Sequence, residues 1–285
     1  MQLRHMTVDQ IKAWMDQEPG PTEQDLAEME TDARVSVRRL AASLRHRRAS
    51  LKEEDARIQE LAQQEDKLHQ KGILHIAGID EAGRGALAGP LVVAAVMFPP
   101  GVRISRLDDS KRLTAKQRQR LYEQIKQMAT DVAVVVADRA VIDRLNILRA
   151  TWQAMEEVVS KLQPRPQHCL VDGNQVPSLG VQQTAIVGGD GKCLSIAAAS
   201  IVAKVVRDTI MLDLARLYPQ YGFARHKGYC TREHMKALKA HGPCPEHRQS
   251  FQPVIDCMLT QLTLPLDGLT PQQETGEEPR ATHSS

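Results

Sequence analysis

Aromatic residues are scarce in this chain, at 3% of 285 positions. A platform that stacks successive nucleic-acid bases is built from aromatics, so that mode of binding is disfavoured. The cysteines (Cys169, Cys193, Cys230, Cys244 and Cys257) form no C-x-x-C pair, and an odd number cannot all pair within one chain. They read as reduced thiols of a cytoplasmic protein. Cys230-x-x-x-His234 has the spacing of half a zinc site, but no second half is evident, so a plain helix surface is expected there. The G-x-x-x-x-G-K-[ST] pattern is missing, which sets aside a P-loop nucleotide hydrolase. No stretch approaches the roughly 18 apolar residues of a membrane span, and no apolar leader is evident, so a soluble protein without membrane contact is expected.

What is present is an ordinary globular composition, 42% hydrophobic and 25% charged, with an uneven charge distribution. Residues 1–70 carry 11 basic and 14 acidic side chains, residues 71–264 carry 25 and 17, and residues 265–285 carry 1 and 4. A basic central segment between acidic flanks is compatible with a polyanionic partner.

The chain is organised around residues 74–98, LHIAGIDEAGRGALAGPLVVAAVMF. An apolar run ends in two adjacent carboxylates, Asp80 and Glu81. A Gly83-Arg84-Gly85 turn follows, and a second apolar run begins behind Gly89-Pro90. This is strand, acidic tip, glycine turn, strand. Two carboxylates about 4 Å apart repel by roughly 4 kcal/mol at a surface-like dielectric. Such a pair at the end of a buried strand points to a cation between them. Glycines beside it let the main chain approach a phosphate or sugar.

Residues 1–70 read as two or three helices. Thr7-x-x-Gln10 and Ser50-x-x-Glu53 both fit capping boxes. Leu44, Leu51 and Ile58 recur at seven-residue intervals, with Leu61 and Leu68 on a neighbouring stripe. Six arginines (Arg34, Arg38, Arg39, Arg45, Arg47 and Arg48) lie between Ala33 and Leu51 without one acid. Either a solvated helix face or an arm gripping duplex phosphates accounts for them. Beyond residue 71, strands are expected at 74–79, 91–98, 132–137, 168–171 and 184–187. Helices are expected at 115–129 (capped by Thr114), 140–161 and 195–217. Lys204 and Asp208 should pair along the last of these. The pattern predicts a mixed sheet with helices on its faces. The tail from Pro265, rich in Pro, Gln, Glu, Thr and Ser, reads as disordered.

A recurrence carries the chemistry. Asp80-Glu81, Asp172 and Asp190 each end a short apolar run beside glycine, and strand ends gather at one sheet edge. Because side chains alternate along a strand, Glu81 is expected where pairing has ended. Four carboxylates suit a hard divalent cation, and such centres suit phosphodiester cleavage. The alternative is that acids end strands simply as turn formers.

In order, the blocks HIAGIDEAGRGALAGPLVVAAV, DDSKRLT, CLVDGNQ, GGDGKCLSIAAASIVAKVVRD, HKGYCTREH and EHRQSF resemble the signature blocks of bacterial ribonuclease HII, the type 2 ribonuclease H family. The resemblance covers roughly 71–255, and residues 1–70 resemble the helical N-terminal extension of some members. It implies a ribonuclease H-like α/β fold: a mixed, roughly five-stranded sheet flanked by helices, with a C-terminal helical segment and an N-terminal helical extension. It implies that Asp80, Glu81, Asp172 and Asp190 are catalytic and hold Mg²⁺ or Mn²⁺. Gly83, Arg84 and Gly85 match the turn that reads a ribose 2′-hydroxyl, the group that separates RNA from DNA. Tyr229 matches the tyrosine that packs on the sugar beside the junction. Lys111 and Arg248 are expected as phosphate contacts or, equally, as surface cations; Arg84 has a salt bridge to Asp80 or Glu81 as its alternative. Many members carry lysine where this chain has Gly188. The implied substrates are RNA–DNA hybrids and duplex DNA with embedded ribonucleotides, and a monomer is expected. Two other readings stay open: a different nuclease on this kind of fold, and an inactive hybrid-binding protein.

Overall fold

The computed structural model describes residues 3–262 apart from Glu18 and Gln175; the tail expected to be disordered lies outside them. The chain begins with α1 (Val8–Met15), α2 (Glu23–Glu30), α3 (Val35–Leu61) and α4 (Gln63–His69). Thr7 opens α1 with the expected capping box to Gln10, and Thr22 opens α2 in the same way through Asp25. Ser50, in contrast, opens nothing. No glycine or proline interrupts residues 35–61, and α3 runs through Ser50 for 27 residues.

The seven-residue stripe is also interrupted. Leu44 is buried among Ile11, Leu26 and Met29 in a small core of the first three helices. Ile58 and Leu61 are buried in a different core, against the main body of the protein. Leu51, between the two, is 56% exposed. Four of the six arginines bind this region to itself. Arg34 donates to Asp32 and to the carbonyls of Leu3 and Met6, and Arg38 to the carbonyls of Asp32 and Ala33. Arg45 pairs with Glu30 and Glu23, and Arg48 with Glu23 and the Pro21 carbonyl. Arg39 and Arg47 are exposed.

The body follows as β1 (Ile76–Ala82), β2 (Leu91–Met97), α5 (Ala115–Met128), β3 (Asp131–Ala137), α6 (Arg139–Leu145), α7 (Ile147–Lys161), β4 (His168–Asp172), β5 (Gln182–Ile186), α8 (Leu194–Leu217), α9 (Phe223–His226), α10 (Arg232–His241) and α11 (Gln252–Leu262). The five strands form one mixed sheet in the order β3-β2-β1-β4-β5. The pairs β1–β2 and β2–β3 are antiparallel; β1–β4 and β4–β5 are parallel. β2 reads as a continuous apolar run because it is buried on both faces. The single helix expected at 140–161 is two. Asn146 adopts φ 67°, which breaks the helix, and its side-chain oxygen accepts from the Leu148 and Arg149 amides to start α7.

Alternation along β1 sends its residues to two layers. Ile79 packs with Val93 and the α7 residues Ala154 and Val158. Ala82 faces the α8 layer with Val92, Ala94 and Ala198. α8 lies very close to β1 at Gly78, where a Cβ would penetrate the Ser195–Ile196 peptide. That contact can be relieved only by moving the helix. Gly78→Ala is therefore expected to cost about 3 kcal/mol or more, read as a lowered urea midpoint at unchanged slope; a midpoint equal to wild type would contradict the packing described.

Candidate active site at the carboxyl end of the central strand

β1 delivers Asp80 and Glu81, and its parallel neighbour β4 delivers Asp172 as its last residue. Pairing of β1 with β4 stops at Ile79–Val171, whereas pairing with β2 continues through Glu81–Val93 and Ala82–Val92. Glu81 is thus not beyond the end of pairing, as expected, but at a position where one side of the ladder has opened. Asp190 differs too. It sits in a 3-10 turn at Gly189–Gly191, after β5 has ended at Ile186, and it is buried. Gly189 connects the two loops: its amide donates to Asp172 Oδ1 at 2.7 Å.

The carboxyls perturb one another. Burial, then the charges of Glu81 and Asp172, push Asp80 well above the ordinary carboxylate range. Burial also raises Glu81, with Arg84 opposing and Asp172 adding to it. Asp172 is raised by burial and by Asp190, against the Gly189 amide. Lys111 supplies the local counter-charge. Its Nζ lies 3.2 Å from Asp190 Oδ2 and 3.8 Å from Asp109 Oδ1. Burial alone would lower its pKa, but Asp190, Asp109 and Asp80 outweigh burial and raise it. The Lys111 loop is held by Ser110 Oγ, 2.8 Å from Ser200 Oγ on α8, and by Arg118, which donates to the Ser110 carbonyl. Arg118 in turn faces Asp208, itself paired with Lys204 at 2.6 Å as expected.

Four oxygen-donor side chains with excess negative charge fit a hard divalent cation. Among the described residues, no three His, Cys, Asp or Glu side chains are gathered closely enough to hold a metal ion, so the fit is one of donor chemistry and charge.

The glycine turn lies directly beyond. Gly83 has φ 92° and packs on the Arg207 guanidinium, which a Cβ would strike. Gly85 has open space where a Cβ would be, so nothing inside the fold demands glycine there. Arg84 is half exposed, with Nη1 3.6 Å from Glu81 Oε1, so the salt-bridge alternative is present. Arg248 is placed differently from the phosphate contact expected of it. It is fully buried, and its guanidinium donates to the carbonyls of Arg84 (2.9 Å), Gly83 (2.8 Å) and Gly89 (2.9 Å). Burial, with Arg207 nearby, pushes it down to about 9. Tyr229 is half-buried, its ring facing Arg207 Cζ at 5.1 Å and Lys204 Nζ at 5.7 Å. A bridge from Tyr229 to Ala86 ties it to the turn.

Sequence reasoning missed Arg207 and Arg118. Arg207, fully buried, donates to the carbonyls of Pro90 (2.9 Å) and Ala88 (3.2 Å). The available signal was an arginine among the small and branched residues of IAAASIVAKVVRD, three positions after Lys204.

A carboxyl with a raised folded-state pKa holds its proton more tightly in the native state. Its charged form therefore costs stability above that pKa, and the cost disappears as pH falls below the ordinary value of 3.8 for Asp80. Asp80→Asn is expected to raise Tm in EDTA at pH 8 by about 2–4 °C, the shift for about 1 kcal/mol. The gain should vanish near pH 4; an equal gain at both pH values would contradict the electrostatic origin.

Comparison with known proteins identifies the family. The family described as Ribonuclease HII matches residues 77–254, and the Ribonuclease HII N-terminal domain matches residues 7–69. The ribonuclease HII of Geobacillus thermodenitrificans (strain NG80-2) is 44% identical over 259 residues, 91% of this chain and 100% of that protein. That of Desulfitobacterium hafniense (strain DSM 10664 / DCB-2) is 44% identical over 252 residues, 88% of this chain and 96% of the other. Among solved structures, ribonuclease H2 from Pyrococcus horikoshii OT3 superposes with a TM-score of 0.58 at 24% identity, over 67% of this chain and 100% of that one. The ribonuclease HII of Archaeoglobus fulgidus, solved as a complex with PCNA, gives 0.52 at 29% identity, over 61% and 93%. The chain belongs to the ribonuclease HII family and is a ribonuclease H, an endonucleolytic hydrolase.

Proposed function

We propose that this enzyme uses Mg²⁺ or Mn²⁺ to cleave the RNA strand of RNA–DNA hybrids, and duplex DNA at single embedded ribonucleotides. The cut falls on the 5′ side of the ribonucleotide and leaves 3′-hydroxyl and 5′-phosphate ends. The cellular role that follows is removal of ribonucleotides from DNA, by a cytoplasmic monomer. Residues 71–264 form the catalytic unit and residues 1–70 a substrate-binding arm.

Asp80, Glu81, Asp172 and Asp190 hold one or two divalent ions. Bound there, the ions supply an activated water and a stabilised leaving oxygen. The other residues select and orient the substrate. Arg84 and Gly85 lie in one tight turn just beyond Glu81 at the end of β1, and the exposed, side-chain-free face of Gly85 gives a ribose 2′-hydroxyl access to the main chain. Tyr229 packs on the adjoining sugar, and Lys111 is within reach of both the carboxylates and an incoming phosphate. Arg248 and Arg207 act on the turn from behind rather than on phosphates.

The observation that carries this reading is the adjacency of the carboxylates at the ends of β1 and β4 to an open glycine. A general nuclease on this fold needs the first but not the second. An inactive hybrid-binding protein needs the second but not the first, and none of the four acids is missing here.

Cleavage of a labelled duplex carrying one ribonucleotide, beside an all-DNA duplex, is the direct test, with Asp172→Asn as control. One cut 5′ to the ribonucleotide, absent from the control and from all-DNA, is expected. Cutting of both duplexes would overturn the 2′-hydroxyl reading; binding without cutting would favour the inactive protein.

The arm makes a separate prediction. Arg39 and Arg47 are exposed, while Arg34, Arg38, Arg45 and Arg48 hold the arm together. If the two exposed arginines meet phosphates, replacing both with alanine should flatten the slope of log Kd against log salt by about 2. An unchanged slope and Kd would leave the arginines as a solvated face.

A further inference from the structure

We infer that His234 and His247 are positioning residues for Tyr229: two neutral imidazoles, locked in one tautomeric order, fix its main chain from the protein interior. The inference rests on the reading of Tyr229 as the residue that packs on the sugar beside the junction.

The order of the chain follows from its two ends. At one end the Cys244 amide donates to His247 Nδ1 at 3.0 Å. An amide can only donate, so Nδ1 is bare and the proton of neutral His247 sits on Nε2. That Nε2 lies 3.0 Å from His234 Nε2, which must then accept. His234 carries its proton on Nδ1, 3.0 Å from the Tyr229 carbonyl. A carbonyl can only accept, so the far end requires the same tautomer of His234 independently. The chain reads Cys244 N–H to His247, His247 to His234, His234 to the Tyr229 oxygen. Reversing any link leaves two lone pairs or two protons facing each other.

Both rings are fully buried. His226 stacks on His234 at 4.5 Å, Phe223 meets it edge-on at 5.5 Å, and Tyr221 meets His247 at 4.9 Å. Burial lowers both imidazoles to about 4, which keeps them neutral near pH 7. His226 is fixed in its own tautomer, accepting from the Gly228 amide at Nδ1 and contacting the Tyr221 carbonyl through Nε2.

The Tyr229 amide donates to the His226 carbonyl at 2.9 Å, and the His234 bond adds a contact from the interior to a segment whose backbone enters it in an unusual conformation. Lys227 (φ 50°) and Gly228 (φ 80°), just before it, are both left-handed. The Tyr229 carbonyl also accepts from the Thr231 amide at 2.8 Å, so it is not orphaned when His234 is lost. What is lost is the second restraint on its direction, and with it the setting of the ring against Arg207. A histidine that merely filled the core would be replaceable by any ring of its size.

The readout is the ratio of kcat/KM on a single-ribonucleotide duplex to kcat/KM on a continuous RNA–DNA hybrid. His234→Phe fills the space without the N–H and should lower the ratio on the order of tenfold. His234→Asn places an N–H where Nδ1 stands and should recover most of it. Tyr229→Ala should lower the ratio at least as far. If Tyr229→Ala lowers it and His234→Phe does not, the inference fails while the Tyr229 reading stands. If Tyr229→Ala leaves the ratio unchanged, both fall together. Long-range ¹⁵N–¹H correlation of the wild-type imidazoles at pH 7 needs no variant to fold. It should show Nδ1–H for His234 and Nε2–H for His247, and the opposite tautomers would overturn the inference.

Discussion

The close approach of α8 to β1 sets the rest of the molecule. Ser195 and Ile196 sit on Gly78, and Arg207 sits under Gly83. Twelve helical residues advance about 18 Å, and five strand residues about 17 Å. The helix and the strand therefore keep step from the sheet's interior to the glycine turn. Between those contacts Ser200 reaches Asp80 and also holds Ser110, so the same helix fixes the first carboxylate and the loop that carries Lys111. The small residues Ala197, Ala198 and Ala199 are fully buried in that seam. Their size permits the approach; a larger side chain would lift the helix and break the step.

Charge is distributed about the turn in an unusual way. Carboxylates crowd one side, and two fully buried arginines lie behind it, solvated mainly by main-chain carbonyls rather than by acids. Nη1 of Arg207 has no hydrogen-bond partner among the described residues. Buried cations without an acid are costly, and an acid placed there would add to the negative charge already confined around Asp80. Carbonyl solvation avoids that and ties both guanidiniums to the turn's main chain. The turn becomes rigid while its solvent side stays open at Gly85.

Much of this was legible because it obeys local rules. The strands, the Thr7 capping box, the Thr114 N-cap and the Lys204–Asp208 pair follow from periodicity and short-range hydrogen bonding. The four acids were visible as a recurrence beside glycine. What the sequence hid depends on distant partners. Arg248 looks like a surface cation in HRQSF, and only the fold reveals the carbonyls gathered about it. Asn146 looks like one more helix residue until its left-handed backbone ends α6. The Ser50 capping box is a local signal overridden by an uninterrupted helix. Leu51 fits a heptad, but the heptad crosses a gap between two cores.

That gap bears on how the arm is joined to the body. Dividing the chain near residue 70 is a division of sequence, and packing runs across it. Cys193 provides no side-chain cap for α8. Glu65, on α4, does so instead: its Oε1 accepts from the Ser195 amide at 2.8 Å and from Ser195 Oγ at 2.6 Å. A carboxyl at a helix N-terminus also meets the positive end of the helix dipole, although burial raises the pKa of Glu65. The end of the arm is thus part of the mechanism that holds α8, and through α8 the carboxylates. Only the segment before Leu51, with its own small core and its exposed arginines, is packed independently enough to vary without disturbing Asp80. A substrate contact made by Arg39 or Arg47 would reach the site along α3, a continuous helix about 40 Å long, rather than through a flexible link.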